Sequence, residues 1–239
     1  MTTIILAAGL GTRWMATRAT TQGGVLGVSP EFKQMLDIGG EPNILRTTRI
    51  LREAGEFRII ILANPMLKTA MKDFPEMVIA FHDSERPLLS RIVDSVNCWF
   101  PSSRVNFLHG DVVFSRDTIK KIIDCKTSFS SFGRFGPNQF TGKTTPELFA
   151  ITASEVSYGY LFSLCGSLSE PEKASSKFWE LRNLMGALGY SPNDADQKIF
   201  DWTDDIDSAE EYIEFYPKLV ELALHEEDLH RKELMNGHK

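Results

Sequence analysis

Cysteine is scarce here. The chain of 239 residues has 3, at positions 98, 125 and 165, with no C-x-x-C pair. So small and scattered a set excludes a disulfide framework and a structural zinc site, and it points to a reduced, cytoplasmic protein. Long apolar runs are also missing: none approaches the ~20 residues that a membrane span needs. The first apolar run is short, has no basic leader and meets Arg13 early, so it does not read as a signal peptide. Basic residues are in deficit, with a net charge of -6. That argues against general binding of nucleic acid or of an anionic membrane, both of which favour a basic face.

Three familiar motifs are absent as well. After Gly9 and Gly11, the dinucleotide fingerprint needs a third glycine at position 14, which is Trp14. In "GPNQFTGKT", Gly136 and Gly142 enclose five residues where a phosphate-binding P-loop has four, and Pro146 interrupts the helix that should follow. In "HEEDLH", His225 and His230 are five apart and diverge around a helix, where a zinc-protease helix sets its histidines four apart.

What remains is an ordinary globular composition, 42% hydrophobic and 24% charged. The length suits one large domain or two small ones, and allows a sizeable core. Residues 2–7, 58–63, 77–81 and 104–111 read as buried strands. Between them, residues 43–54, 66–72 and 88–100 read as helices, the first capped by Asn43 and stopped by Gly55, and 115–124 follows with Ser115 as cap. Continuous apolar strands separated by helices predict an α/β fold, a Rossmann-like, doubly wound and mostly parallel sheet. The second half is less regular. It reads as loop-rich from residue 133, with a strand near 148–152, a helix over "KFWELRNLMGALG", and a last helix that Pro217 kinks or divides. We read one domain over residues 1–239 in three parts: a regular alternating half (1–132), an irregular part (133–200) and a C-terminal segment (201–239).

The most specific local feature is "IILAAGLGTRW". In an open parallel sheet, ligands bind at the carboxyl ends of the strands. Ala7 and Ala8 leave room there, and Gly9 and Gly11 allow close approach of the backbone. Their N–H groups can form an anion-binding concavity, to which Arg13 adds a forked, permanent charge.

"LAAGLGTR", followed by "KQMLDIGGEPNILRTTRIL", resembles the nucleotidyltransferases that make nucleotide sugars and related activated compounds, including molybdopterin-guanine-type transferases. These enzymes carry an L-A-[AG]-G-x-G-T-R loop, then a lysine segment, then a helix. Lys33-Gln34 takes the lysine position and residues 39–42 the turn. "LHGDVVF" resembles the family's central G-D-x-x-F segment and "DDIDSAEEY" its late I-D-T-P-E-D-Y segment. Four motifs stand in the family's order. There are departures: the stretch between Arg13 and Lys33 is longer than usual, Gln34 and Asp37 replace common prolines, and Glu41 replaces a common lysine.

The resemblance implies transfer of a nucleoside monophosphate from a triphosphate to a small phosphorylated acceptor, a sugar 1-phosphate or a choline-phosphate-like compound, with release of pyrophosphate. It implies that Leu6, Ala7, Ala8, Gly9, Gly11, Thr12, Arg13 and Lys33 bind the nucleotide, and that Lys33, Arg13 and Asp111 act in catalysis. It further implies that Asp111 and Asp207, assisted by Asp205, hold Mg²⁺, and that the fold is that of nucleotide-diphospho-sugar transferases. Ser208 and Glu211 form an S-x-x-E capping box, which fixes Asp207 just before a helix. Arg134, Lys143, Glu147 and Trp202 are candidates for the acceptor site, and residues 21–32 for a lid. No nucleic acid or membrane partner is expected, and self-association is left open. A metal-dependent glycosyltransferase is the alternative, and a nucleotide-sensing module without catalysis is the third reading.

Overall fold

The computed structural model describes residues 1–8, 14, 32–73, 78–81, 88–138, 140–168, 178–189 and 196–236. Gly9, Gly11, Thr12, Arg13 and residues 21–31 of the expected lid lie outside them.

Seven strands form one sheet in the order β3-β2-β1-β4-β7-β6-β8. They are β1 (Thr2–Ala7), β2 (Ile59–Ala63), β3 (Val78–Phe81), β4 (Arg104–His109), β6 (Phe129–Arg134), β7 (Glu147–Ser154) and β8 (Asp196–Lys198). β1, β2, β3 and β4 run parallel, β7 runs antiparallel to both β4 and β6, and β8 is parallel to β6. The mostly parallel, doubly wound sheet is therefore present. Alternation along β1 sends Ile5 and Ala7 to one face and Ile4 and Leu6 to the other, each into its own core.

Two sets of helices cover those faces. α1 (Asn43–Glu53), α2 (Pro65–Ala70) and α5 (Arg116–Asp124) supply Ile44, Leu51, Leu67, Ile119 and Ile122 to the first core. α3 (Leu88–Asp94), α4 (Val96–Trp99), α6 (Tyr158–Leu168) and α7 (Phe178–Ala187) supply Leu89, Trp99, Leu161 and Leu181 to the second. Each such side chain is worth about 1.5–3 kcal/mol when fully buried. Ser115 caps α5 as expected, accepting the Thr118 N–H at 3.0 Å.

The local readings needed four corrections. Asn43 is not a cap: Pro42 holds that place, and the Asn43 side chain donates to Val112 O at 2.9 Å. Residues 88–100 form two helices, with Ser95 between them. The Ser95 hydroxyl donates to Ile92 O and accepts from the Trp99 indole, and serine is prone to such competing bonds. The stretch from residue 133 has no helix or strand over 135–138 and 140–146, and the strand expected near 148–152 is β7, but the end of β6 and all of α6 are regular structure that the reading left out. The last helix, α8 (Ala209–Asn236), is continuous through Pro217.

A third, smaller core positions the site. Trp14, Leu36, Ile38, Val113, Ile206, Ala209, Tyr212, Leu219 and Ala223 pack together beside a two-stranded ribbon of β5 (Val112–Val113) and β9 (Asp204–Asp205). Trp14 is fully buried and meets Tyr212 edge-on, with ring centroids 6.2 Å apart.

Candidate active site

The site forms where β1 ends. A tight turn at Lys33–Met35 lies against that end, with the Gln34 amide 3.5 Å from Ala7 O. Beyond it, Gly39 and Gly40 have φ of 72° and 93°, a left-handed turn that suits glycine. Asp37 stands where the family commonly has proline. Its side chain caps that turn by accepting the Gly40 N–H at 2.8 Å, and its carbonyl accepts from the Tyr212 hydroxyl at 3.2 Å. The lysine turn is thus fastened to α8.

Asp111 arrives from the next strand. At the end of β4 the chain passes so close to β1 that a Cβ on Gly110 would lie 2.9 Å from Ala7 Cβ and 3.1 Å from Leu6 O. Only glycine allows that approach, and Gly110 N–H also donates to Leu6 O at 3.0 Å. Asp207 arrives from the far end of the sequence. The β5–β9 ribbon pairs Val112 with Asp205, and Asp207 follows two residues on. Ser208 then starts α8: its Oγ accepts the Glu211 N–H at 3.2 Å, while the Glu211 carboxylate accepts the Asp207 N–H at 2.9 Å. The capping box forms, with its return bond shifted by one residue.

These paths converge. Lys33 Nζ stands 2.5 Å from Asp111 Oδ2 and 3.8 Å from Asp207 Oδ1. Lys33 is 12% exposed and the two aspartates 26% each, so the pairs are shielded but open on one side. Burial alone would raise the Asp111 carboxyl, but the Lys33 ammonium outweighs it and holds the group at about 2. Burial opposes the charge on Lys33, and Asp111, Asp207 and Asp205 more than compensate, so its pKa lies above the ordinary lysine value. Lys33 is a fixed cation and Asp111 a fixed anion at neutral pH.

The other sequence-derived candidates have surroundings of their own. Asp205 is buried, and its carboxylate faces Lys143 Nζ at 3.3 Å. Glu147, at the start of β7, is pushed up to about 7 by burial and by the charges of Asp205 and Asp207. Arg134 is buried at the end of β6, where it pairs with Asp204 and donates to Thr145 O at 3.0 and 3.2 Å. Trp202 stacks under the Arg46 guanidinium, 5.1 Å from its ring centroid, and lines a groove with Leu222 and Leu229 of α8. Leu6, Ala7 and Ala8 are buried at the strand end beside the Lys33 turn. Sequence reasoning missed Glu211 as a contact of the site. Its capping-box position was the signal.

Among the described residues, no group of three or more His, Cys, Asp or Glu side chains could hold a metal by itself. Asp111 and Asp207 offer hard carboxylate oxygens on one side of an open site. This suits Mg²⁺, which takes one or two carboxylates and completes its shell with water and phosphate oxygens.

No protein-family model matches the chain, and no curated protein matches it in sequence. Solved structures do. A nucleotidyl transferase from Methanothermobacter thermautotrophicus matches with TM-score 0.65 at 17% identity, over 92% of this chain and 98% of that one. A candidate glucose-1-phosphate thymidylyltransferase from Bacillus anthracis, solved with sucrose, matches with TM-score 0.63 at 14% identity, over 92% and 95%. A CTP:phosphocholine cytidylyltransferase from Streptococcus pneumoniae matches with TM-score 0.57 at 16% identity, over 93% and 98%. The chain has the Rossmann-like fold of the nucleotidyltransferases.

Proposed function

We propose that the chain is a nucleotidyltransferase that moves a nucleoside monophosphate from a triphosphate to a small phosphorylated acceptor and releases pyrophosphate. One observation carries the reading: Lys33, Asp111 and Asp207, drawn from three distant segments, meet at the carboxyl end of β1. That is where an open parallel sheet binds its ligand. The fold shared with nucleotidyl, thymidylyl and cytidylyl transferases supports it.

An oxygen of the acceptor phosphate attacks the α-phosphorus, and pyrophosphate departs. The attacking oxygen is already ionised near neutral pH, so no general base is needed. The protein's task is to hold two anions together and to meet charge growing on the phosphoryl oxygens. In this reading the backbone of Gly9, Gly11 and Thr12, with Arg13, cradles the triphosphate beside Leu6, Ala7 and Ala8. Lys33 bridges phosphate oxygens. Asp111 and Asp207 hold Mg²⁺, which supplies charge neutralisation when bound. Residues 1–132 then form the nucleotide half. Residues 133–200, Glu147 among them, receive a sugar 1-phosphate or a choline-phosphate-like acceptor. The C-terminal segment brings Asp207. Among the described residues no helix is long and apolar enough to cross a membrane. We place the reaction in the cytoplasm.

The test is a screen of the four common triphosphates with Mg²⁺ by thermal shift, followed by pyrophosphate detection with phosphorylated acceptors. Triphosphate-dependent stabilisation and acceptor-dependent pyrophosphate support the reading. Turnover of a nucleotide sugar with no pyrophosphate would favour a glycosyltransferase. Binding without turnover across the panel would favour a sensing module.

A further inference from the structure

Resting on the reading of Asp207 as a metal ligand, we propose that Lys143 is a positioning residue that sets the place of Asp207 through Glu211.

An ammonium group has three N–H donors and no acceptor. Lys143 Nζ meets three oxygens: Asp205 O at 3.0 Å, Asp205 Oδ1 at 3.3 Å and Glu211 Oε2 at 3.0 Å. Its donors are matched by protein, and none is spare for an acceptor phosphate. The same Glu211 Oε2 accepts the Asp207 N–H at 2.9 Å. Lys143, Glu211 and the Asp207 peptide therefore form one chain of contacts, and Lys143 holds Asp205, two residues before Asp207, at its other end.

Lys143 is itself firmly placed. Its loop closes through Asn138 N–H to Lys143 O at 2.9 Å, and Asn138 Oδ1 accepts the Phe140 and Thr141 N–H groups. Asn138 Nδ2 donates to Thr203 O at 3.3 Å. The Thr141 hydroxyl donates to Asp204, and Arg134 pairs with the same carboxylate. The loop is fastened along residues 203–205, so a cation on it has a fixed position. Asp205 and Glu211 each bring a carboxylate to Lys143 Nζ, at 3.3 and 3.0 Å, so without the cation between them these two like charges would repel. Lys143 answers that repulsion while pinning Glu211 in the orientation that receives the Asp207 peptide.

The sign of one measurement separates this role from others. Removing a positive charge from beside carboxylates, by itself, tightens cation binding. Removing a group that orients a metal ligand weakens it, typically 10–100-fold. The experiment titrates the folded protein with Mn²⁺, a paramagnetic stand-in for Mg²⁺, and reads water-proton relaxation. Wild type, Lys143→Met, Lys143→Arg and Asp207→Asn are compared, with circular dichroism as the fold check. The proposal expects Lys143→Met to weaken Mn²⁺ about tenfold or more, and Lys143→Arg to recover most of the loss. In turnover, kcat should fall for Lys143→Met with the acceptor KM little changed. Should Lys143→Met not fold, Lys143→Gln carries the same expectation. Unchanged or tighter Mn²⁺ binding by Lys143→Met, or a selective rise in acceptor KM, overturns it. If Asp207→Asn weakens Mn²⁺ and Lys143→Met does not, this inference alone falls. If Asp207→Asn leaves Mn²⁺ binding unchanged, the metal reading falls and this inference with it.

Discussion

Lys33 and Asp111 form an ion pair in the candidate site, Nζ to Oδ2 at 2.5 Å, and Asp207 approaches the same ammonium at 3.8 Å. One cation thus faces a carboxylate from β4's end and one from the start of α8. If that cation meets charge that grows during attack, Lys33→Ala should slow turnover by ~10²–10³. Triphosphate binding should fall much less, because other groups still hold the phosphates. The measurement is kcat and triphosphate affinity on folded protein. A parent rate with weaker binding alone would make Lys33 a plain binding residue.

The pair below the site should govern stability. Arg134 and Asp204 are 2% and 3% exposed and bonded to each other, and Thr141 adds a second donor to Asp204. Arg134→Met strands a buried carboxylate, which should cost about 3–5 kcal/mol. Replacing both partners, Arg134→Met with Asp204→Leu, should recover much of that loss. Urea unfolding of the two variants and the parent decides it. A double variant no more stable than the single one would show that the pair does more than satisfy itself.

Gly110 is a packing requirement. An added Cβ would meet Ala7 Cα at 3.0 Å and Leu6 O at 3.1 Å, both main-chain atoms that cannot swing aside. Gly110→Ala should destabilise by about 1–3 kcal/mol. It should also lower turnover of the protein that still folds, because Asp111 is the next residue. Normal turnover with normal stability would mean that β1 and β4 separate easily.

Two carboxyls should leave opposite marks on stability against pH. Asp111 sits at about 2 in the folded protein, below its ordinary 3.8. Its stabilising pair with Lys33 is present above pH 3.8 and lost as pH falls toward 2. Glu147 sits at about 7, above its ordinary 4.5. The unfolded chain ionises it first, so wild type loses stability relative to Glu147→Gln as pH rises from 4.5 to 7, and the difference levels off above that. Melting temperatures of both proteins across this range test the sign. A difference independent of pH would contradict the crowding of Glu147 by Asp205 and Asp207.

The sequence made β1, the alternation of strands and helices, and the positions of Lys33, Asp111 and Asp207 legible, because ordered motifs and continuous apolar runs are local signals. What it hid was tertiary. Asn43 looks like a cap, yet its amide is drawn to Val112 O. β6 reads "FSSFGR", poor in apolar residues and broken at a bulge between Phe132 and Gly133, so its place between β7 and β8 decides its state. α6 reads "YGYLFSLCGSL", with no polar face to show helical period. Asp204, paired with Arg134, and Asp205, paired with Lys143, each lie more than sixty positions along the chain, beyond any spacing rule.

The most direct test of the account follows both products of one reaction. Triphosphate labelled at the α-phosphorus is incubated with Mg²⁺ and a phosphorylated acceptor, and the protein is compared with Asp111→Asn and Asp207→Asn. The account predicts label in the acceptor product in one-to-one ratio with pyrophosphate, abolished by a chelator and reduced by at least a hundredfold in each variant. Label transfer that survives the chelator, or that proceeds undiminished in either variant, would contradict it.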